Sequence, residues 1–346
     1  MAKAISRRSF LAQLGGIGLA SAAGFPRTGI AQRGLRTVRI STLPTIILFP
    51  TFVARDLGHF KEFGVDAQFV IARGGSEITQ LMVSGAVDLA NAGAEHVFKL
   101  RETGFDAMVL TGQENRYITE LVVHRKHEGK IKGVKDLKGK SIGVSGMGSG
   151  SHVSSRYVLR HAGLDPETDV TFVAVGGPLT QVKALEQGQV DAVMAFDPAQ
   201  SLLKHDLKIA YRLWSGVAGD PPEIFQDFVM ECLAARRSWI DKNRELAADI
   251  VRANVKAITA IREADPRVLD TYAAMFKGIQ REVLRKSLNE HLAAFTPVIT
   301  RKGIANVNTY GRFAGVTTKD VSYDEVVAKE FEPIWKGWKA PLPKSF

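Results

Sequence analysis

The chain has 346 residues, of which 45% are hydrophobic, and its formal net charge at pH 7 is +10. This composition is typical of a folded globular protein and excludes a mainly disordered or membrane-embedded chain. Four of the positive charges lie in residues 1–31, which contain no acidic residue. Because no run of lysine and arginine is interleaved with aromatic residues, the charge does not favour a nucleic-acid partner.

The single cysteine, Cys232, excludes an intramolecular disulfide and a site built from several cysteines. His124 and His127 lie three residues apart, but their neighbours are charged, which is typical of a solvated loop rather than a metal site. We therefore expect no metal and no cofactor. A single hydrophobic core rarely serves more than roughly 250–300 residues, so the length predicts two lobes.

Residues 1–31 have the features of an export signal. Arg7-Arg8 is a twin-arginine pattern, and the glycine-containing apolar run at 10–25 is too short for a permanent membrane span. Small residues at 29–31 predict cleavage after Ala31, which implies a periplasmic or otherwise extracytoplasmic protein. The segment resembles signals of the twin-arginine pathway, which exports folded proteins. An ordinary Sec signal and an uncleaved amphipathic helix are the alternatives.

The chain as far as residue 124 alternates strand and helix patterns. The predicted elements are a strand at 38–41, a helix through residue 60, a strand at 67–71, a helix from Ser76, a buried strand at 87–90, a helix to residue 104, a strand at 107–110 and a crossover strand at 121–124. Small or polar residues follow three of these strands, namely Pro44 and Thr45, Gly75 and Ser76, and Ala94. Ser76 is a good N-cap, and Glu95 follows Ala94 at the start of a helix.

A second alternating region follows. Its predicted elements are a strand at 141–144, a helix at 153–163, a strand at 170–173, a helix, and a strand ending at Phe196-Asp197-Pro198. The loop before the first of these helices contains Gly148, Ser149, Gly150 and Ser151. After about residue 215 the pattern is mainly helical, with apolar stripes at 241–263, 266–276 and 281–294. Residues 336–346 are predicted to form a loose tail or a strap over the surface.

One stretch of sequence occurs twice. Phe69-Val70 and Gly85-Ala86-Val87-Asp88 recur as Phe172-Val173 and Gly188-Gln189-Val190-Asp191, each 103 residues later. A repeated strand, turn, helix and strand unit predicts two similar α/β lobes with mostly parallel sheets and helices on both faces. Two such lobes predict a cleft that holds a ligand.

The chain resembles the periplasmic substrate-binding proteins of ABC importers, within the class that handles sulfonates, taurine, nitrate and thiamine precursors. The segments that carry the resemblance are 56–60 with 63–65, 85–88, 136–140, 145–151, 188–192 and 197–198. It implies the two-lobed periplasmic-binding-protein fold of type II. Lobe one would hold residues 35–123 and 215–335, lobe two residues 124–214, with a hinge near 121–126 and 210–218.

The resemblance also implies where the ligand binds. The family pocket lies between the loops that follow the strands, which agrees with the general rule for parallel sheets. The implied ligand-binding residues are Pro44, Thr45, Gly75, Ser76, Ala94, Gly148, Ser149, Gly150, Ser151, Phe196 and Asp197. Ser149 and Ser151 act either as ligand donors or as helix caps, and Asp197 either contacts ligand or caps a helix. Arg73 and Arg116 are the cations that would pair with an anion.

The resemblance implies a monomeric solute-binding receptor that delivers a small organic anion or a heterocycle to the membrane permease of an ABC importer. A sensor module that presents its ligand to a signalling receptor would need the same fold. An enzyme like the pyrimidine synthases of the thiamine-precursor branch is the third possibility. The export signal and the absence of a nucleophile-elbow pattern in the sequence favour a protein without catalytic residues.

Overall fold

Ten strands form two five-stranded sheets in the computed structural model, which describes residues 34–346. The strands are β1 (Arg36–Thr42), β2 (Val65–Ile71), β3 (Leu89–Gly93), β4 (Ala107–Gly112), β5 (Glu120–His124), β6 (Lys140–Val144), β7 (Val170–Ala174), β8 (Ala192–Ala195), β9 (Ala210–Ser215) and β10 (Glu231–Arg236). The predicted export signal and its cleavage after Ala31 lie outside the described residues.

The helices lie between and after these strands. They are α1 (Phe49–Asp56), α2 (His59–Glu62), α3 (Gly75–Val83), α4 (Ala94–Glu102), α5 (Gly150–His161), α6 (Pro178–Glu186), α7 (Ala199–Ser201), α8 (Arg237–Lys242), α9 (Arg244–Arg262), α10 (Pro266–Met275), α11 (Arg281–His291), α12 (Arg301–Ala314), α13 (Tyr323–Val326) and α14 (Glu332–Trp335). Within residues 34–346, no helix combines the length and the apolar character needed to cross a bilayer.

The two sheets have the same plan. The first has the strand order β2-β1-β3-β10-β4 and the second the order β7-β6-β8-β5-β9. Within each, the first three strands are parallel, and the fourth, β10 or β5, is antiparallel to both of its neighbours. The predicted α/β class with mostly parallel sheets is confirmed.

The sequence repeat occupies equivalent places in the two sheets. Gly85 and Gly188 follow α3 and α6 with φ of 78° and 69°, a left-handed conformation that glycine adopts at little cost. Asp88 then accepts a hydrogen bond from the backbone N–H of Arg39 at 2.8 Å, and Asp191 accepts one from Ser141 at 3.1 Å. Each aspartate therefore ties its strand to the parallel strand beside it, which explains why the motif occurs twice.

Asp191 has a further partner in His127, whose Nε2 lies 2.7 Å from Oδ1 of the carboxylate. Burial opposes ionisation of this carboxyl, but the hydrogen bonds from Ser141 and His127 outweigh it and lower its pKa to about 2. The aspartate therefore stabilises the second sheet as an anion.

The chain crosses between the sheets at 113–119 and at 216–230. The crossover strand predicted at 121–124 lies instead inside the second sheet as β5, where Val122 pairs with Val193 and with Arg212. β9 likewise covers most of the second predicted hinge. The first crossing therefore lies a few residues before the hinge predicted near 121–126, and the second shares only 216–218 with the hinge predicted near 210–218, because strand pairing between distant segments leaves no local signal.

The C-terminal segment packs against the first sheet. Trp335 of α14 is buried, and its indole N–H donates to the carbonyl of Leu110 at 3.0 Å. Beyond it, the guanidinium of Arg262 donates to the carbonyl of Pro341, and Arg285 donates to the carbonyl of Phe346. Residues 336–346 thus follow the second of the two predicted forms, a strap over the surface.

Candidate functional site in the cleft between the two sheets

Three cavities meet at the carboxyl ends of the parallel strands. The outer cavity has a volume of about 580 Å³, the inner chamber about 160 Å³ and the side groove about 760 Å³. Glu95 and Gly150 line both the outer cavity and the inner chamber, Arg73 lines the outer cavity and the groove, and Phe196 lines the chamber and the groove. The three cavities therefore adjoin one another, and together they form what we call the branched cleft, at the place where parallel sheets bind ligands.

Most of the residues that the sequence predicted for the site line this cleft. Gly75, Ser76, Gly148, Ser149 and Gly150 line the outer cavity; Gly150, Ser151 and Phe196 line the inner chamber; Pro44, Thr45, Phe196 and Asp197 line the side groove. Ala94 is buried instead, and its N–H donates to the carbonyl of Met230 at 3.2 Å. Its backbone amide is therefore already engaged, while the next residue, Glu95, faces the cavities.

The serine loop is a closed hydrogen-bonded unit. Ser149 is the N-cap of α5, and its Oγ accepts from the N–H of His152 at 3.3 Å. Ser151 Oγ accepts from the N–H of Ser145 at 2.9 Å and lies 3.0 Å from Ser149 Oγ. Ser145 Oγ contacts both of these hydroxyls, at 3.1 and 2.7 Å. The geometry favours the capping alternative for Ser149, whereas the Ser151 hydroxyl holds the backbone of Ser145, directly after β6.

Asp197 is also engaged by the protein itself. Its carboxylate, fully buried, accepts from the N–H of Ser201 at 2.9 Å and from Ser287 Oγ at 2.5 Å. His291 Nδ1 lies 3.4 Å away. Ser287 and His291 belong to α11, so Asp197 ties the end of β8 to the C-terminal helices.

Arg73 and Arg116, the two arginines predicted to pair with an anion, do not contribute free cations to the inner chamber. The guanidinium of Arg73 is paired with Glu77 at 3.0 Å and is largely exposed where the outer cavity meets the groove. Arg116 donates through Nη1 to the carbonyl of Val217 at 2.7 Å. Arg116 therefore fixes the second crossing segment against the first.

Two tyrosines connect opposite sides of the cleft. The hydroxyls of Tyr117, in the first crossing segment, and Tyr310, on α12, lie 3.0 Å apart. Both donate to the carbonyl of Gly150, at 3.2 and 3.3 Å. Burial raises the pKa of both hydroxyls, so they are neutral donors. Tyr157 of α5 packs edge-on against Phe313 of α12, which adds an aromatic contact across the same junction.

The inner chamber contains residues that the sequence analysis missed. Its lining consists of Ile47, Glu95, Tyr117, Thr119, Ser145, Gly150, Ser151, Phe196, Phe228, Met230 and Glu231. Thr119 ends the first crossing segment, and Glu231 begins β10 directly after the second. The sequence predicted Gly150, Ser151 and Phe196 of this lining, but Thr119 and Glu231 carried no local signal.

The comparisons with known proteins agree with this architecture. A model of the family described as NMT1/THI5 like matches residues 47–267, more than half of the chain. The chain belongs to the NMT1/THI5-like family.

Within this family, the chain is 28% identical over 166 residues to the 4-amino-5-hydroxymethyl-2-methylpyrimidine phosphate synthase THI5 of Saccharomyces cerevisiae. That alignment covers 48% of this chain and 47% of the synthase, so the chain matches about half the length of this relative. It is 22% identical over 306 residues to the putative binding protein YtlA of Bacillus subtilis, covering 86% of this chain and 90% of YtlA.

Among solved structures, the chain is similar to the periplasmic aliphatic sulphonate binding protein SsuA from Escherichia coli. The TM-score is 0.68 at 19% identity, and the match covers 85% of this chain and 98% of SsuA. This likeness confirms the predicted periplasmic-binding-protein fold.

Proposed function

We propose that the protein is a solute-binding receptor that captures a small organic ligand in the cleft and delivers it to the membrane permease of an ABC importer. The observation that carries the proposal is the branched cleft itself. It lies at the carboxyl ends of both sheets and ends in a chamber of about 160 Å³, enough for one ring-sized group. Sulphonate-binding SsuA, matched over nearly its whole length, supports a receptor on this fold.

The proposal includes export, with residues 1–31 as a twin-arginine signal cleaved near Ala31, and a monomeric receptor that meets its permease outside the cytoplasm. Closure of the cleft accounts for ligand capture. Gly150 of α5 and Tyr310 of α12 meet across the junction, so a ligand in the chamber would be covered by contacts that join the two sheets.

A synthase-like enzyme is the second candidate, because THI5 shares sequence over about half its length with this chain. The lining of the inner chamber favours the receptor. Its polar side chains are two carboxyls and four hydroxyls, and the described lining contains no histidine, lysine or cysteine, so a hydroxyl there has no imidazole or amine beside it to activate it as a nucleophile.

The test is to purify the protein from its host and identify the bound solute by native mass spectrometry. The receptor proposal predicts that the solute is released unchanged, and that small-angle scattering shows a smaller radius of gyration when it is bound. Rebinding at 100 times the dissociation constant should stabilise the protein by about 2.7 kcal/mol. Conversion of the solute into a different product would refute the receptor and favour the enzyme.

A further inference from the structure

The inner chamber brings two carboxyl side chains together. Glu95 is in the first turn of α4, directly after β3, and Glu231 begins β10. Glu231 pairs with Gly93 in the antiparallel β3–β10 ladder, and Gly93 precedes Glu95 by two residues, so the backbones of the two glutamates lie close together at the same edge of the first sheet. Both line the chamber. Their convergence is therefore fixed by strand register rather than by a flexible loop.

The carboxyl of Glu231 is buried and unsatisfied. The residue is 8% exposed, and within residues 34–346 its side chain has neither a hydrogen bond nor an ion pair. The imidazole Nε2 of His96 lies 3.9 Å from Oε1 of Glu95, which is too far for a hydrogen bond. A buried carboxyl without a partner costs folding free energy, so this position is stabilised when something else supplies positive charge or hydrogen-bond donors.

A second polar group in the chamber also lacks a partner. Thr119 is 3% exposed and lines the chamber, and its hydroxyl makes no hydrogen bond to any residue that the structure describes. Unlike the serine loop, whose hydroxyls are occupied, Thr119 leaves a donor and acceptor available to a ligand.

The remaining walls suit an organic cation. Tyr117, Phe196 and Phe228 supply aromatic rings, and Ile47 and Met230 supply apolar surface. Aromatic faces attract cations within about 6 Å of the ring centre. The described lining contains no lysine, arginine or histidine. Its fixed charge is therefore negative or zero, depending on how many of its carboxyls are ionised.

The electrostatics of the chamber also favour a cation. Burial raises the pKa of Glu231, and the nearby charge of Glu95 raises it further. Burial also raises the pKa of the buried Glu114, and the charge of Glu231 adds to this effect. The pKa of the Cys232 thiol, next to Glu231 in the chain, is raised by burial and by the charges of these carboxyls. Groups of like charge crowded in a buried site are relieved by a cation.

We propose that the inner chamber binds the protonated amine or amidinium group of a small organic cation between Glu95 and Glu231, with the Thr119 hydroxyl as a further contact. This inference rests on the proposed receptor function and names the chemistry of its ligand. An acidic group of the same ligand could still occupy the outer cavity, so the inference concerns the group that enters the chamber.

The test compares two probes of the same shape and opposite charge, benzamidinium and benzoate, by calorimetry with the full chain. We expect benzamidinium to bind at millimolar or lower concentration, and benzoate to bind at least tenfold more weakly. Glu231→Gln and Glu95→Gln should each weaken benzamidinium at least tenfold. Glu186→Gln, exposed on α6, is the matched control and should leave the affinity unchanged.

Melting curves of the unliganded variants show whether each one is folded, and the glutamine variants keep the shape of the side chain. Benzoate binding as tightly as benzamidinium, no binding of either probe, or unchanged affinity in both glutamine variants would overturn the inference. The receptor function is judged separately by the solute isolated from the host. A captured solute without a basic group would overturn the inference and leave the receptor function supported. Binding of benzamidinium without any captured solute would support the inference and count against the receptor function.

Discussion

Gly216, at the start of the second crossing segment, offers the sharpest test of how the two sheets are held. A Cβ at this position would lie closer than 3.0 Å to the carbonyl oxygen of Tyr117, and 3.1 Å from its Cβ. The N–H of Gly216 also donates to the carbonyl of Thr119 at 3.2 Å. The two crossing segments therefore touch backbone to backbone, and Gly216→Ala must push them apart.

The expected cost follows from these contacts. Forcing a methyl group into a packed site costs about 1–3 kcal/mol. Weakening the hydrogen bond to Thr119 adds about 1 kcal/mol. We expect Gly216→Ala to lower the free energy of unfolding by roughly 2–4 kcal/mol, measured by urea denaturation with the slope of the transition unchanged.

Gly133→Ala is the matched control. No atom lies within 4 Å of a Cβ at Gly133, and its φ of −151° is extended backbone that alanine adopts freely. Its stability should change by less than about 1 kcal/mol. Equal stability losses in the two variants, or a Gly216→Ala variant as stable as the wild type, would refute the close packing of the crossing segments.

Three further predictions concern the cleft and the second sheet. Replacing Ser149 and Ser151 together with alanine should cost about 1–2 kcal/mol of stability in urea unfolding and change ligand affinity less, because the Ser149 hydroxyl caps α5 and the Ser151 hydroxyl holds the backbone of Ser145; a larger loss of affinity would assign them to the ligand. Tyr310→Phe should cost about 1 kcal/mol, since Gly150 loses one of its two donors, and a variant as stable as the wild type would show that the hydroxyl is not bonded. The pKa of Asp191 is about 2 in the folded protein, below its ordinary value of about 3.9. The ionised carboxylate therefore stabilises the fold above about pH 4, and the free energy of unfolding should fall by about 2 kcal/mol as the pH falls towards 2. Asp191→Asn should therefore be less stable at pH 7 and lose less stability between pH 5 and 2; an acid limb identical to that of the wild type would contradict the assignment.

The elements that could be predicted from sequence are those with a local physical cause. The Gly-x-Val-Asp motif is an example, because each residue has a defined local place. Gly85 takes a left-handed φ, Val87 is buried, and Asp88 bonds to the next strand. The same reasons apply at Gly188 and Asp191, and so the repeat predicted two sheets of one plan.

The antiparallel strand β10 could not be predicted in this way. All but the last of its six residues are buried, so it lacks the alternation that marks a half-buried strand. Its partner β3 lies about 140 residues earlier, with Cys232 opposite Ala92. Pairing at this separation depends on the whole fold, and Glu231 was missed as a site residue for that reason.

For the predicted site residues, the position could be predicted from sequence, but the role of each side chain could not. Sequence patterns placed Ser149, Ser151 and Asp197 in the loops that line the cleft, because small and polar residues follow the strands there. Whether a hydroxyl or carboxylate faces a ligand or the protein depends on its partners. Ser287 and His291, which surround Asp197, come from a helix about 90 residues further along the chain.

The position of the inner chamber links ligand binding to the geometry of the two sheets. Thr119 and Glu231, which line it, flank the two segments through which the chain crosses, and the carbonyl of Thr119 accepts from Gly216. A cation held between these residues would contact both crossings as well as the loop at Gly150. Gly216→Ala should therefore weaken benzamidinium binding as well as the fold, because displacing Thr119 changes the shape of the chamber. Normal affinity in a destabilised Gly216→Ala variant would show instead that the shape of the chamber does not depend on the close packing of the two crossings.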